Sequence, residues 1–153
     1  IYLHDRLPLD PGLVAEFDGE PACARKELIE STVAHLWRQN KDTEFLKVSM
    51  RNGSSETLYW KDLVSGALLK SIVDRAKDGA IRRAIAQPEG NHGLAREDLF
   101  EALDAEYREN EIFPKSDVME DWLKLIDLEP ESVVSVKPVR VSKGEEFVRR
   151  NVI

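Results

Sequence analysis

The run Asp62-Leu63-Val64-Ser65-Gly66-Ala67-Leu68-Leu69-Lys70-Ser71-Ile72-Val73-Asp74-Arg75-Ala76-Lys77-Asp78-Gly79-Ala80-Ile81-Arg82-Arg83-Ala84-Ile85 organises the chain. Leu68, Leu69, Ile72, Val73, Ala76, Ala80, Ala84 and Ile85 recur at three- and four-residue steps. That spacing predicts one apolar stripe on a long amphipathic helix. Ser65 stands at the N-cap position, its hydroxyl placed to accept a bond from a first-turn N–H. Gly66 and Ala67 leave that turn almost bare of side chain. A flat ligand or another backbone could lie directly on it, beside free N–H groups and the positive end of the helix dipole. A capped core helix that merely begins with two small residues reads the same way. The tripeptide alone does not separate the two.

Working upstream, Phe45, Leu46, Val48 and Met50 lead into Arg51-Asn52-Gly53-Ser54-Ser55, and Thr57, Leu58, Tyr59 and Trp60 lead out. Asn-Gly between such runs predicts a β-hairpin, with strands Phe45–Met50 and Thr57–Trp60. A lone hairpin is marginal in water, so a tail strand from Val133–Val141 or Phe147–Val152 is expected at one edge. Before the hairpin, Asp18-Gly19-Glu20-Pro21 is a start signal for a helix over Ala22–Gln39. Its inward face should carry Leu28, Ile29, Val33, Leu36 and Trp37. Ile1–Arg6 read as the last turns of a helix, broken by Pro8 and Pro11, and Gly12–Glu20 as loop or one short turn.

Downstream, the organising helix should stop near Gln87, ahead of Pro88, Gly90 and Gly93. A further helix is expected over Ala95–Asn110, with Leu99, Phe100, Leu103 and Tyr107 facing inward and Ile112-Phe113-Pro114 ending it. Asp117 should cap a short helix carrying Val118, Trp122, Leu125 and Ile126. The alternation from Ser132 to Val141 reads as strand, with Pro138 marking an edge or a break. The expected class is α+β, a helical bundle with a hairpin insertion and C-terminal strands that form a small antiparallel sheet. Its divisions are 1–20, a helix end and loop; 21–126, the helical region with its hairpin at 44–60; and 127–153, a strand-rich extension.

Composition narrows the function classes. The 153 residues are 42% hydrophobic and 33% charged, and the net charge of −7 with no basic tract argues against nucleic acid. One cysteine, Cys23, excludes an internal disulfide framework and fits a reducing, cytoplasmic setting. No apolar run approaches the ~20 residues that span a bilayer. The chain opens without Met and is expected to be a piece of something larger.

Catalytic chemistry is not expected. His4, His35 and His92 share no ligand spacing, and one cysteine cannot build a zinc site. His35 reads as a helix-boundary residue, and Cys23 as buried and inert. The acidic residues Glu97, Asp98, Glu101, Asp104, Glu106, Glu109 and Glu111 read as the solvated side of a helix, not as a cation site. No phosphate loop and no nucleophile elbow is present.

Taken together, Phe45-Leu46-Lys47-Val48, Asn52-Gly53, Leu58-Tyr59-Trp60-Lys61-Asp62, Ser65-Gly66-Ala67 and Ile72-Val73-Asp74-Arg75-Ala76-Lys77 resemble the C-terminal part of the actinobacterial proteasomal AAA ATPases. These are the Mpa/ARC family of ring-forming protein unfoldases. Leu13-Val14-Ala15-Glu16-Phe17-Asp18-Gly19 is similar to the family's link from the ATPase core. Glu109-Asn110-Glu111, Pro114 and Asp121-Trp122 resemble the stretch after its lid helices. The resemblance covers about Leu3 to Leu123, and the hairpin is its most family-specific part.

The resemblance implies a small lid subdomain, with the phosphate loop, the first sensor and the arginine finger all lying before Ile1. It implies ATP with magnesium as the parent's cofactor, bound only weakly by this stretch. Ser65, Gly66 and Ala67 would be the nucleotide-binding residues, and no residue here would be catalytic or hold a metal. It implies neighbouring subunits of a homohexamer as partners, with the core proteasome and tagged protein substrates further out, and neither nucleic acid nor membrane. Leu68 stands where some AAA clades place an arginine that reaches the phosphates, and Lys70 and Arg75 read as surface charge. Members that dock on the proteasome end in Gly-Gln-Tyr-Leu, whereas this sequence ends Arg150-Asn151-Val152-Ile153. Either the docking tail lies beyond this sequence or the parent works without the proteasome. The rival reading, from another class, is a stand-alone helical interaction module that never meets nucleotide.

Overall fold

The computed structural model describes Leu3, residues 6–109 and residues 129–139. Leu3, Arg6 and Leu7 lie in bends and turns, not in the helix expected there. The expected short helix after Asp117 and the strand after Phe147 fall outside the described residues. The chain then builds α1 (Pro11–Ala15), α2 (Pro21–Leu36), β1 (Glu44–Met50), β2 (Ser55–Tyr59), α3 (Gly66–Ala86), α4 (Arg96–Glu109) and β3 (Val133–Pro138). It is the α+β arrangement of helices beside a small antiparallel sheet.

Local chemistry sets the boundaries. Asp10 caps α1, its carboxylate accepting from the amides of Gly12 at 2.8 Å and Leu13 at 3.3 Å. Pro21 occupies the first turn of α2, where its missing N–H costs nothing. This helix ends at Leu36, short of Gln39, because the next turn is captured by side chains. The hydroxyl of Thr43, a fully buried residue, donates to the Arg38 carbonyl at 2.7 Å, and the Asn40 side chain accepts from Asp42 and Thr43.

The hairpin forms as expected, with a different turn. Gly53 N–H donates to the Met50 carbonyl, Gly53 has φ +85°, and Met50 N–H donates to Ser54. Asn52 is absent from the positive-φ residues, so this is a three-residue loop with a left-handed glycine, not a two-residue Asn-Gly turn. The Asn52 side-chain Oδ1 secures the loop by accepting from both the N–H and the Oγ–H of Ser54. Trp60 leaves the strand to begin a 3-10 turn, Trp60–Leu63, that redirects the chain into α3.

β3 supplies the third strand, giving the order β2-β1-β3 with both pairings antiparallel. Val48 faces Glu56 on one side and Val136 on the other. Pro138, opposite Leu46, closes this edge strand, which is where a residue lacking an N–H is tolerated.

The core gathers Leu28 and Leu36 of α2, Leu46 and Val48 of β1, Ile72 and Ala76 of α3, and Leu99 and Leu103 of α4. Two expected apolar faces are narrower than their spacing predicts. On α2, Ala24, Leu28 and Leu36 are buried, but Ile29 and Val33, one step around the helix, and Trp37, which caps its end, are 39%, 47% and 49% exposed. On α3, burial covers Leu68, Ile72, Val73, Ala76 and Ala80, whereas Leu69, Ile81 and Ile85 are exposed. At about 100° per residue, Ile81 and Ile85 lie roughly opposite Arg83, which faces α4 through Asp98.

The helix pair also overturns the reading of the acidic face. Asp98 and Glu106 are buried, and each meets an arginine of α3: Arg83 for Asp98, and Arg75 for Glu106 at 3.3 Å. Phe100, expected inside, is half-buried and stacks on His35 of α2.

Candidate functional site

The first turn of α3 is built from both sides. Behind it, the Asp62 carboxylate accepts from Tyr59 N–H at 2.9 Å and pairs with Lys61 at 3.2 Å, fixing the 3-10 turn. Trp60 is buried there, stacked on Tyr107 of α4 with ring centroids 4.7 Å apart and planes within 6°. The Tyr107 hydroxyl donates to the Trp60 carbonyl at 2.8 Å, and Phe45 meets the Tyr107 ring edge-on. Burial, with the charges of Asp62 and Glu106, holds this phenol well above the usual tyrosine range. The start of α3 therefore rests on a rigid aromatic stack.

Ser65 has the extended backbone of an N-cap, and its Oγ accepts from Leu68 N–H at 3.2 Å. Leu69 N–H takes the Ser65 carbonyl at 3.0 Å. The N–H groups of Gly66 and Ala67 remain as the helix's orphan donors, and Ser65, Gly66 and Ala67 are all exposed. Leu68 turns inward and is buried, so it presents nothing to a ligand on this turn. All three residues singled out from the sequence thus share one open, side-chain-poor surface backed by a packed wall.

The cations nearby are engaged. Lys70 pairs with Asp74 at 2.5 Å, and Lys77 meets the same carboxylate at 3.2 Å. Those two hydrogen bonds, Lys70 first, hold Asp74 below the usual carboxylate range. Arg75 is no surface charge but an interhelical tie to buried Glu106. What this surface offers a ligand is backbone donors and close approach.

The remaining polar groups serve packing. His35 Nε2 lies 2.9 Å from Asp104 and 2.7 Å from Arg38, and its ring stacks on Phe100 at 4.3 Å, so it bridges α2 and α4. Cys23 is exposed, not buried as expected, since the inward positions of α2 go to Ala24 and Leu28. A polar recess of about 460 Å³ near the far end of α3 is lined by Asp10, Arg83, Glu97, Asp98 and Glu101. Its carboxylates disfavour an anionic ligand. Among the described residues, no three His, Cys, Asp or Glu side chains are placed to hold a metal ion, and no helix is long and apolar enough to cross a membrane.

The small antiparallel sheet beside capped helices is an α+β arrangement of the lid type. Comparison with known families agrees: the family described as the ARC, AAA+ ATPase lid domain matches residues 1–152, and the chain belongs to it. A Corynebacterium kroppenstedtii protein described as an AAA ATPase forming ring-shaped complexes is 41% identical over 127 residues, 82% of this chain and 22% of that protein. A Jonesia denitrificans proteasome-associated ATPase is 36% identical over 144 residues, 94% of this chain and 26% of that protein. A Kocuria rhizophila AAA ATPase forming ring-shaped complexes is 38% identical over 136 residues, 89% of this chain and 23% of that protein. The chain spans about a quarter of the length of the curated relatives it matches.

Proposed function

We propose that this chain is the nucleotide-capping lid of a ring-forming, cytoplasmic AAA+ ATPase that unfolds tagged proteins for degradation. In this reading Ser65, Gly66 and Ala67 lie against the adenine and ribose of ATP. The observation that carries it is the exposed, side-chain-poor first turn of α3, in a chain that the lid family matches over residues 1–152. Small residues let the ligand approach the backbone, and the orphan N–H groups and helix dipole favour an electron-rich partner there.

The surroundings do not fit the phosphates or magnesium. Lys70 and Arg75 are held by Asp74 and Glu106, and Leu68 is buried. In this reading the phosphate clamp, the metal and the hydrolysis belong to another part of the parent. Its partners would be neighbouring subunits of a homohexamer, with tagged substrates and the core proteasome beyond them.

Calorimetry tests this at two levels. The 153-residue chain alone should bind ATP with a dissociation constant above about 1 mM, because one wall of a pocket buries too little of the ligand. In the full-length parent, Gly66→Phe should weaken ATP binding at least tenfold while the circular dichroism is unchanged. Micromolar binding by this chain alone, or an indifferent Gly66→Phe parent, would remove the proposal. The rival reading, an interaction module that never meets nucleotide, draws on the exposed ridge Ile29–Val33–Trp37 of α2. An indifferent Gly66→Phe parent would favour it.

A further inference from the structure

The segment that leads into α1 is tied twice: the Leu7 carbonyl accepts from the Arg25 guanidinium of α2 at 2.9 Å, and the next three residues meet the loop before α4. Leu9 and Leu94 form an isolated parallel bridge, with Leu94 N–H donating to the Pro8 carbonyl at 2.9 Å and Asp10 N–H to the Leu94 carbonyl at 3.0 Å. Gly93 makes the approach possible. Its φ is +123°, and a Cβ there would lie 2.4 Å from both the carbonyl carbon and the oxygen of Leu9. No other residue fits without pushing the two strands apart.

Arg83, in the last turn of α3, holds this loop from the opposite side. One guanidinium nitrogen donates to the Gly93 carbonyl at 2.7 Å, and the other donates to Asp98. Asp98 in turn accepts from Ala95 N–H at 2.8 Å, which fixes the start of α4. A planar fork with two donors in fixed relation suits this task, where a lysine's single point of attachment would not.

We infer that Arg83 and Gly93 form a coupling joint that fastens the Pro8–Asp10 segment to α3 and α4, so that these three parts move as one rigid body. The joint lies about 27 Å along α3 from Ser65, at 1.5 Å per residue. A displacement of the α3 start would then be delivered to Pro8–Asp10 without loss in flexible loops. The link to nucleotide rests on the function proposed above, but the joint itself does not, and its test needs no nucleotide.

Native-state hydrogen exchange on the whole chain reads the joint at the amides of Asp10 and Leu94. Arg83→Met keeps the apolar stem and removes both donors. Gly93→Ala attacks the bridge from the other side and leaves the Arg83–Asp98 pair in place. In each variant the Asp10 and Leu94 amides should exchange at least tenfold faster, while Leu46 and Val48 in β1 keep their protection. Unchanged Asp10 and Leu94 amides in Arg83→Met would overturn the inference. So would an acceleration shared equally by β1, which would make Arg83 a general stabiliser. If Arg83→Met does not fold, Gly93→Ala decides by the same two readings, and failure of both variants to fold also overturns it.

Discussion

Tyr107 and Trp60 are joined twice, by a stacked pair of rings 4.7 Å apart and by a 2.8 Å hydrogen bond from the phenol to the indole residue's own carbonyl. The pairing ties the last turns of α4 to the bend between hairpin and α3. Removing the hydroxyl in Tyr107→Phe leaves the stack but strands a buried carbonyl. The expected loss is about 1–2 kcal/mol of unfolding free energy. Trp60→Ala, which empties the stack but keeps the backbone carbonyl that accepts from Tyr107, should cost about 3–5 kcal/mol. Urea denaturation of both variants checks the order. Equal losses would mean that the hydrogen bond contributes as much as the buried ring.

Alkali provides an independent measure of the same contact. The Tyr107 phenol is held above the usual value of 10.0, chiefly by burial. Above pH 10 the unfolded chain loses this proton while the folded one keeps it. The folded state then binds more protons, and stability falls as pH rises. Ultraviolet titration at 295 nm should show one tyrosine that ionises only as the chain unfolds. A phenol that titrates reversibly near pH 10 in every tyrosine of the folded protein would contradict its burial.

Helix α3 offers a contrast between two isoleucines. Ile72 is 2% exposed and Ile85 is 73% exposed. Ile72→Ala should cost about 2–5 kcal/mol, and Ile85→Ala no more than about 0.5 kcal/mol. Thermal unfolding of the two variants settles which part of the apolar stripe is core. A comparable loss at Ile85 would restore the full stripe that the periodicity alone predicts.

Strand β3 can be removed cleanly by ending the chain after Leu128. That leaves β1 paired only with β2, and a hairpin with one open edge is marginal. At about 1 kcal/mol per lost ladder bond, stability should fall by more than ~2 kcal/mol, and light scattering should rise as the β1 edge is exposed. A truncated chain that unfolds at the same denaturant concentration would show that β3 contributes nothing.

Much of this was legible in the residues. The Ser65 cap, Pro21 at a helix start and the Asn52-Gly53 turn act within four or five positions, so spacing alone locates them. The pairing of the tail strand with the hairpin also followed, because a two-stranded sheet needs support. What escaped was contact at long range. Asp98 and Glu106 read as solvated because helical periodicity places them among other acids, and only packing brings them to Arg83 and Arg75. The Tyr107–Trp60 bond spans 47 positions and has no local signal. The buried faces of α2 and α3 are narrower than their apolar spacing, because spacing gives the direction of a stripe but not the breadth of what covers it. Of the first turn of α3, the bareness and the cap are readable in the sequence, whereas the aromatic wall behind it is not.

The order of strands carries a further consequence for how the chain reaches this shape. β1 sits between a neighbour that follows it at once and another that arrives almost at the other end of the sequence. The hairpin can close within about 1–10 μs, but pairing with β3 must first recruit a distant stretch against the entropy of a long loop. On a ribosome adding roughly 5–20 residues per second, the inner edge of β1 stays open for several seconds after it emerges. During that interval α2, α3 and α4, which share the core with β1, are the described helices available to cover Leu46 and Val48. Their early docking on the sheet governs whether a nascent chain finds its own last strand or a stranger's.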